Sequence, residues 1–229
     1  MPSWLLAHRA AGLVEHMDDP DCDPQKLHRT YVQFETVNRL ISGWGRLYSQ
    51  YLRPQLHAGA RSILDVGAGG GDIARTVYRN AVADGFPVQI TAIDTDARAV
   101  QFMQSSTRDA MISVRHTGVG ELLAGNERFD IVLSNNVLHH LSAEDIPGFL
   151  HDTHALAKGL TIHSDIRRDD LAYLGFLPAH ILFPGSFIAE DGLTSIRKSY
   201  RSQELRALLP TAWDVREMAL FRTLCVRRT

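Results

Sequence analysis

The stretch ILDVGAGGGDIA, residues 63–74, constrains this chain more than any other: an apolar run ends in Asp65, and four glycines then fill five positions. Glycine reaches left-handed conformations at little cost and lets a backbone approach another group closely, so glycines this dense mark either a sharp turn or a cradle for a ligand. The surrounding pattern bears on that choice. Short aliphatic runs recur as SILDV, VQITAID, ISVRH, FDIVLSN and LTIHSDI, while helical periodicity marks DIARTVYRNAVADG, DARAVQFMQSS and IPGFLHDTHALA. Strands alternating with helices require right-handed crossovers, which predicts a Rossmann-like α/β fold: a mostly parallel sheet with helices on both faces.

Ahead of the sheet, apolar residues from Trp4 to about Leu56 recur at helical spacing, first as Leu5, Leu6, Leu13 and Val14, then as Tyr31, Phe34, Val37, Leu40 and Ile41. DDPDCDP separates the two groups as a proline-broken turn, so two or three helices are expected. We read residues 1–58 as an N-terminal helical cap or lid and 59–229 as the core. That core is expected to carry a helical insert at about 168–190 after the fifth strand, a helix near Ser202, and closing strands in WDVREMAL and TLCVRR. The formal net charge of -2, with both signs interspersed, argues against a nucleic-acid partner. Cys22 and Cys225 lie far apart without ligand spacing, so neither a disulfide framework nor a bound metal is expected. No apolar run approaches the length of a membrane span and the N-terminus lacks a leader pattern, so a cytoplasmic protein without membrane insertion is expected, its oligomeric state left open.

In open parallel sheets ligands bind beyond the carboxyl ends of the strands, where the glycine stretch would lie. Gly67, Gly69 and Gly71 form G-x-G-x-G, whereas a dinucleotide fingerprint needs a third glycine where Asp72 stands. Asp65 would crowd a pyrophosphate but could orient a ligand with a positive end. The next strand ends AIDTD, placing Asp94 where a carboxylate can accept both hydroxyls of a ribose. An adenosine carrying an amino-acid tail suits both acids. Asp96 is better read as the cap of the helix that follows.

With ILDVGAGGGDIA, ITAIDTDARAV and FDIVLSNNVLHHL in this order, residues 60–229 resemble the class I S-adenosylmethionine-dependent methyltransferases. The resemblance implies S-adenosylmethionine as cofactor, with the backbone of Gly67, Ala68 and Gly69 against its methionine portion. It also implies Asp94 on the ribose with Thr95 beside it, and Asn135 near the sulfonium. After the third strand the family usually has an acid for the adenine amino group. Here HTGVGELL puts Val119 in that place, which implies adenine held by backbone and apolar contact, with Glu121 as the substitute.

Methyl transfer is an in-line displacement at an activated carbon, so the enzyme chiefly aligns the acceptor and removes its proton. His139 and His140 follow the fourth strand at the rim of the cleft and suit a base working near neutral pH. If they begin a helix they point about 100° apart, and one faces the acceptor. Asp165, at the end of the neighbouring strand, could orient that imidazole or act alongside it. In several small-molecule methyltransferases that the chain resembles, a histidine after the fourth strand and an acid after the fifth line the acceptor site. Tyr31, Phe34, Trp44, Tyr48, Tyr173, Phe176, Phe183 and Phe187 are mostly core, with some facing the cleft. A lid this apolar suits an aromatic or lipid-like acceptor, and the order of the C-terminal segments also resembles ubiquinone- and polyketide-type methyltransferases. The expected reaction is O-methylation of a phenol, quinol or polyketide-type secondary metabolite. C-methylation of an aromatic ring and cofactor binding without chemistry are the alternatives. A nicotinamide oxidoreductase fails on both Asp65 and Asp72.

Overall fold

A computed structural model describes residues 5–229, in which seven strands make one sheet in the order β3-β2-β1-β4-β5-β7-β6. The strands are β1 (Ser62–Val66), β2 (Gln89–Asp94), β3 (Ile112–His116), β4 (Phe129–Asn135), β5 (Ala157–Ile166), β6 (Asp214–Met218) and β7 (Arg222–Arg228). The first five pair in parallel, and β7 runs antiparallel between β5 and β6. Strand order reverses at β1, flanked by β2 on one side and β4 on the other, so the crevice beyond its carboxyl end is where this topology opens for a ligand. Ile63, Leu64, Ile131, Val132 and Ile162 are all buried, because crossover helices cover both faces and leave no polar side for these strands.

Helix α1 (Pro24–Ile41) starts where DDPDCDP ends: Asp23 accepts from the N–H groups of Gln25 and Lys26, and Pro24 takes the first position. Then α2 (Trp44–Leu47), a π turn (Tyr48–Leu52) and α3 (Arg53–His57) carry Trp44, Leu47, Leu52 and Leu56 into the same core as the sheet. The crossovers are α4 (Asp72–Ala83), α5 (Ala97–Ser106), α6 (Val119–Ala124) and α7 (Asp145–Ala155). Between β5 and β6 lie α8 (Asp170–Phe176), α9 (Ala179–Leu182), α10 (Ile188–Lys198) and α11 (Ser202–Leu208).

Three local expectations differ from what forms. Residues 5–15 make no helix, and Trp4 lies outside the described residues. Tertiary partners take the polar groups of that segment: the Ala10 N–H donates to the Arg197 carbonyl, and Arg9 donates to the carbonyls of Lys198, His139 and Leu141. Leu6 is buried while Leu5 and Val14 are exposed, so the apolar residues that looked like one helical face serve separate contacts. Helix α6 forms between the third and fourth strands, where the sequence pattern assigns no element. Helix α10 carries the insert past residue 190 to Lys198; its buried face includes Asp191, Ser195 and Lys198, which hides the apolar period.

Candidate active site

A cavity of about 810 Å³ opens beyond the carboxyl ends of β1, β2, β4 and β5, roofed by α1, α8, α10 and the N-terminal strap. At one end, the loop after β1 is bent by three glycines in the left-handed region: Gly67 (φ 65°), Gly69 (φ 53°) and Gly71 (φ 75°). Each has its own reason. A Cβ on Gly67 would sit 2.6 Å from Val137 Cγ2, and one on Gly71 2.9 Å from Met103 Cγ. A Cβ on Gly69 would meet nothing within 4 Å, because that face of the loop lines the cavity. The turn is closed by the Ala68 N–H donating to the Ile93 carbonyl and the Gly71 N–H to the Ala68 carbonyl.

Asp94 ends β2 and braces this loop: its Oδ2 accepts from the Gly69 N–H (2.8 Å) and its Oδ1 from the Asp96 N–H (2.9 Å). Desolvation raises its pKa against those bonds, and both oxygens keep lone pairs for a ligand hydroxyl. Thr95 follows in the wall. Asp96 accepts from the Arg98 N–H at 2.8 Å and pairs with that side chain, the cap expected for α5. Thr117, Gly118 and Val119 complete this end, whereas Glu121 lies outside the wall and accepts from the Thr117 hydroxyl.

Asp65 carries the strongest chemical signal here. It is 1% exposed, and its Oδ2 has no hydrogen-bond partner. Burial, then the nearby Asp72 and Asp94 carboxylates, push its pKa well above the usual range, and burial also pushes Asp72 up to about 6 despite the amide of Asn38 bonded to it at 2.9 Å. Two buried carboxylates, close enough that Asp72 adds to the cost of charging Asp65, with one oxygen unpartnered, call for a cation, such as the ammonium of an amino-acid tail.

Asn135, at the end of β4, has its Oδ1 pinned by Trp44 Nε1 (2.9 Å) and Arg222 (2.6 Å), which leaves its NH₂ as the free group toward the cavity. At the far end, His139 and His140 occupy a single 3-10 turn (Leu138–His140) rather than a helix start; both rings line the cavity, 4.2 Å apart and tilted by 36°. Asp165 grips His139 twice, accepting from Nδ1 at 2.7 Å and from the peptide N–H at 2.9 Å. On the other side Glu15 Oε1 lies 3.3 Å from His139 Nε2, in ion-pair range without hydrogen-bond alignment. Burial disfavours charge on this ring, but Asp165 and Glu15 outweigh it and raise the pKa to about 9. The imidazole is therefore cationic at neutral pH unless another cation takes the place beside Glu15, unlike the near-neutral titration expected of it. Glu15 itself is held down to about 2, against its burial, by His139, His140 and Lys198.

Residues 63–159, from β1 into β5, match the family model described as a methyltransferase domain. These residues carry the likeness to the class I S-adenosylmethionine-dependent methyltransferases. Uncharacterized methyltransferases of Mycobacterium bovis and Mycobacterium tuberculosis are 31% identical over 94 residues, or 41% of this chain. The aligned stretch is 45% of each, so the chain spans less than half the length of the curated relatives it matches. Among solved structures, the plantazolicin methyltransferase BpumL in complex with SAH is similar at a TM-score of 0.63 and 11% identity, covering 89% of this chain and 96% of that one. The plantazolicin methyltransferase BamL in complex with a triazolic desmethylPZN analog and SAH is similar at 0.52 and 15%, covering 84% and 68%. Both show the fold.

The residues expected at the cofactor all line the cavity except Gly71, whose role is to start α4 behind the loop. His139, His140 and Asp165 come together as expected. Glu15, Lys198, Asn38 and Arg222 were not foreseen. A lone glutamate in GLVEHMDD carries no local signal, and Arg222 reads as an ordinary strand residue until β7 is seen to lie beside β5.

Proposed function

We propose that this chain transfers the methyl group of S-adenosylmethionine to a small apolar or aromatic acceptor, most simply the oxygen of a phenol, quinol or polyketide-type metabolite. The observation that carries this reading is a pair of unpartnered buried polar atoms in one cavity, Asp65 Oδ2 at the glycine end and His139 Nε2 at the other. Asp65 with Asp72 would hold the cofactor's ammonium, Asp94 its ribose hydroxyls, and Thr117 to Val119 its adenine. The bound cofactor supplies a methyl carbon activated by the sulfonium. Asn135 would sit beside that end.

Between the two ends the wall is apolar: Phe34, Val37, Ile41, Leu141, Ile166 and Phe176 contribute, with residues of the N-terminal segment and the insert as its lid. Such a wall desolvates an aromatic acceptor and aligns it with the methyl group, while a sugar would leave its hydroxyls unpaired. The cluster of His139, His140 and Asp165, joined by Glu15, lies at this end: His139, cationic between its two carboxylates, would donate from Nε2 to the acceptor oxygen, and His140 is the ring placed to receive the acceptor's proton. Incubation with S-adenosylmethionine and a panel of phenols, quinols and aromatic polyketides, read by mass spectrometry, tests the reading. A methylated product together with S-adenosylhomocysteine supports it, and product analysis separates O- from C-methylation. Cofactor binding with no turnover on any acceptor would leave a binding protein.

A further inference from the structure

At the acceptor end, two imidazoles converge on one carboxylate. His139 Nδ1 is committed to Asp165, which leaves Nε2, on a side chain only 2% exposed, without an aligned partner and 3.3 Å from Glu15 Oε1. His140 turns its Nδ1 to Asp18 Oδ2 and to Lys198 Nζ, each at 3.4 Å, and its Nε2 to Glu15 Oε2 at 3.9 Å. One ligand atom from each of Glu15, His139 and His140 lies within 4.8 Å of the other two. Bonds of about 2.0–2.2 Å to a common ion place tetrahedral ligand pairs about 3.4 Å apart, which Glu15 Oε1 and His139 Nε2 already meet at 3.3 Å and to which His140, 3.9 Å from the carboxylate, would have to draw in.

We propose that Glu15, His139 and His140 bind a divalent first-row transition ion of the zinc type at the acceptor end of the cavity. Two nitrogens and one oxygen select such an ion over magnesium or calcium, which take oxygen sets. Asp165 on His139 Nδ1 is the outer carboxylate that orients a metal-bound histidine and fixes its bare nitrogen. Ser195 Oγ, donating to Glu15 Oε1 at 2.8 Å, fixes the carboxylate in the same way. Charge agrees: among the described residues the carboxylates of Glu15, Asp18 and Asp165 and the ammonium of Lys198 face these rings, so neutral imidazoles leave room for two positive charges. Lys198 Nζ, 3.5 Å from Glu15 Oε1, is the rival cation that the ion displaces from that oxygen.

Three protein ligands leave one position open, and all three side chains line the cavity. An acceptor hydroxyl at that position would lose its proton to water more readily. This use of the ion rests on the proposed methyl transfer, but its binding does not. The test is therefore binding of the metal alone. Zinc is titrated calorimetrically into chelator-treated full chain, and cobalt is read by its visible absorption. One ion per chain is expected, weakened more than tenfold in Glu15→Gln, His139→Ala and His140→Ala, and by roughly 10–100-fold in Asp165→Asn. S-adenosylhomocysteine affinity, measured on each variant, reports that the fold is kept. Absence of stoichiometric zinc binding by the folded wild type would overturn the proposal, and so would wild-type metal affinity in a folded His139→Ala/His140→Ala variant. Failure of every acceptor in a turnover screen would count against the proposed reaction and leave this site standing.

Discussion

The cofactor end of the cavity is assembled, apart from Asn135, Asp72's partner Asn38 and the roof, from one stretch of chain between β1 and α6, while the acceptor end draws Glu15, His139, Asp165 and Lys198 from four separate segments. Backbone geometry does most of the work at the first: left-handed glycines, strand-end carboxylates and helix starts. At the second, side chains converge across long sequence separations and hold a dense group of opposite charges. The contrast teaches that a glycine-lined loop end can be written in local spacing, whereas a cluster of buried charges depends on which distant segments the fold lays over the sheet.

The largest effect should come from filling the one glycine face that looks into the cavity. Gly69→Val is expected to abolish S-adenosylhomocysteine binding, since a Cβ there meets no protein atom and would enter the ligand's space. The left-handed φ adds about 1–2 kcal/mol of strain. Calorimetric titration showing wild-type affinity would reduce the loop to a turn. At the other end, His139→Ala should lower kcat by about 10²–10⁴ with cofactor affinity kept. Equal losses in both measurements would mean that the two ends are not separable.

A smaller effect separates two neighbouring acids. Asp94→Ala should weaken cofactor binding by about 1.5–3 kcal/mol, because two hydroxyls and the Gly69 N–H lose a charged acceptor. Asp96→Ala removes a helix cap and should instead cost about 1 kcal/mol of stability. A reversal of these costs would move the ribose to the other acid. The mildest effect is on pH. In the free protein Asp72 titrates at about 6 and Asp65 lies well above the usual carboxylate range, so both take up protons as pH falls. A cofactor ammonium favours their ionised forms, so binding should release protons and weaken as pH drops through about 6. Titrations in buffers of different ionisation enthalpy measure that release, and an affinity flat from pH 5 to 8 would separate the ammonium from these carboxylates.

The alternation of strands and helices was legible because it follows from burial on both sheet faces, a constraint that each segment carries in its own residues. Asp65, the glycines and Asp94 were legible for a related reason: a strand end, a tight turn and a helix start are set by neighbours within a few positions. Where local and tertiary demands diverged, the pattern misled. Leu5 to Val14 looked helical, yet Arg9 and the Ala10 N–H bond to α10 and to the turn at His139, and those partners replace helical bonds. Helix α10 went unread because Asp191 and Lys198 sit on its buried face, bonded to the strap in front of it: Asp191 accepts from the N–H groups of His16 and Met17.

Spacing alone could name His139, His140 and Asp165 as neighbours of one another, since each follows the end of an adjacent strand. It could not supply the state of the ring. That depends on Glu15, which reaches His139 only because the strap crosses the cavity and is anchored to α10, and on Lys198, which follows from the same packing. A strand end is a local object. A buried charge is balanced by whatever the whole fold places within a few ångströms, because in a medium that screens little each nearby charge changes its protonation.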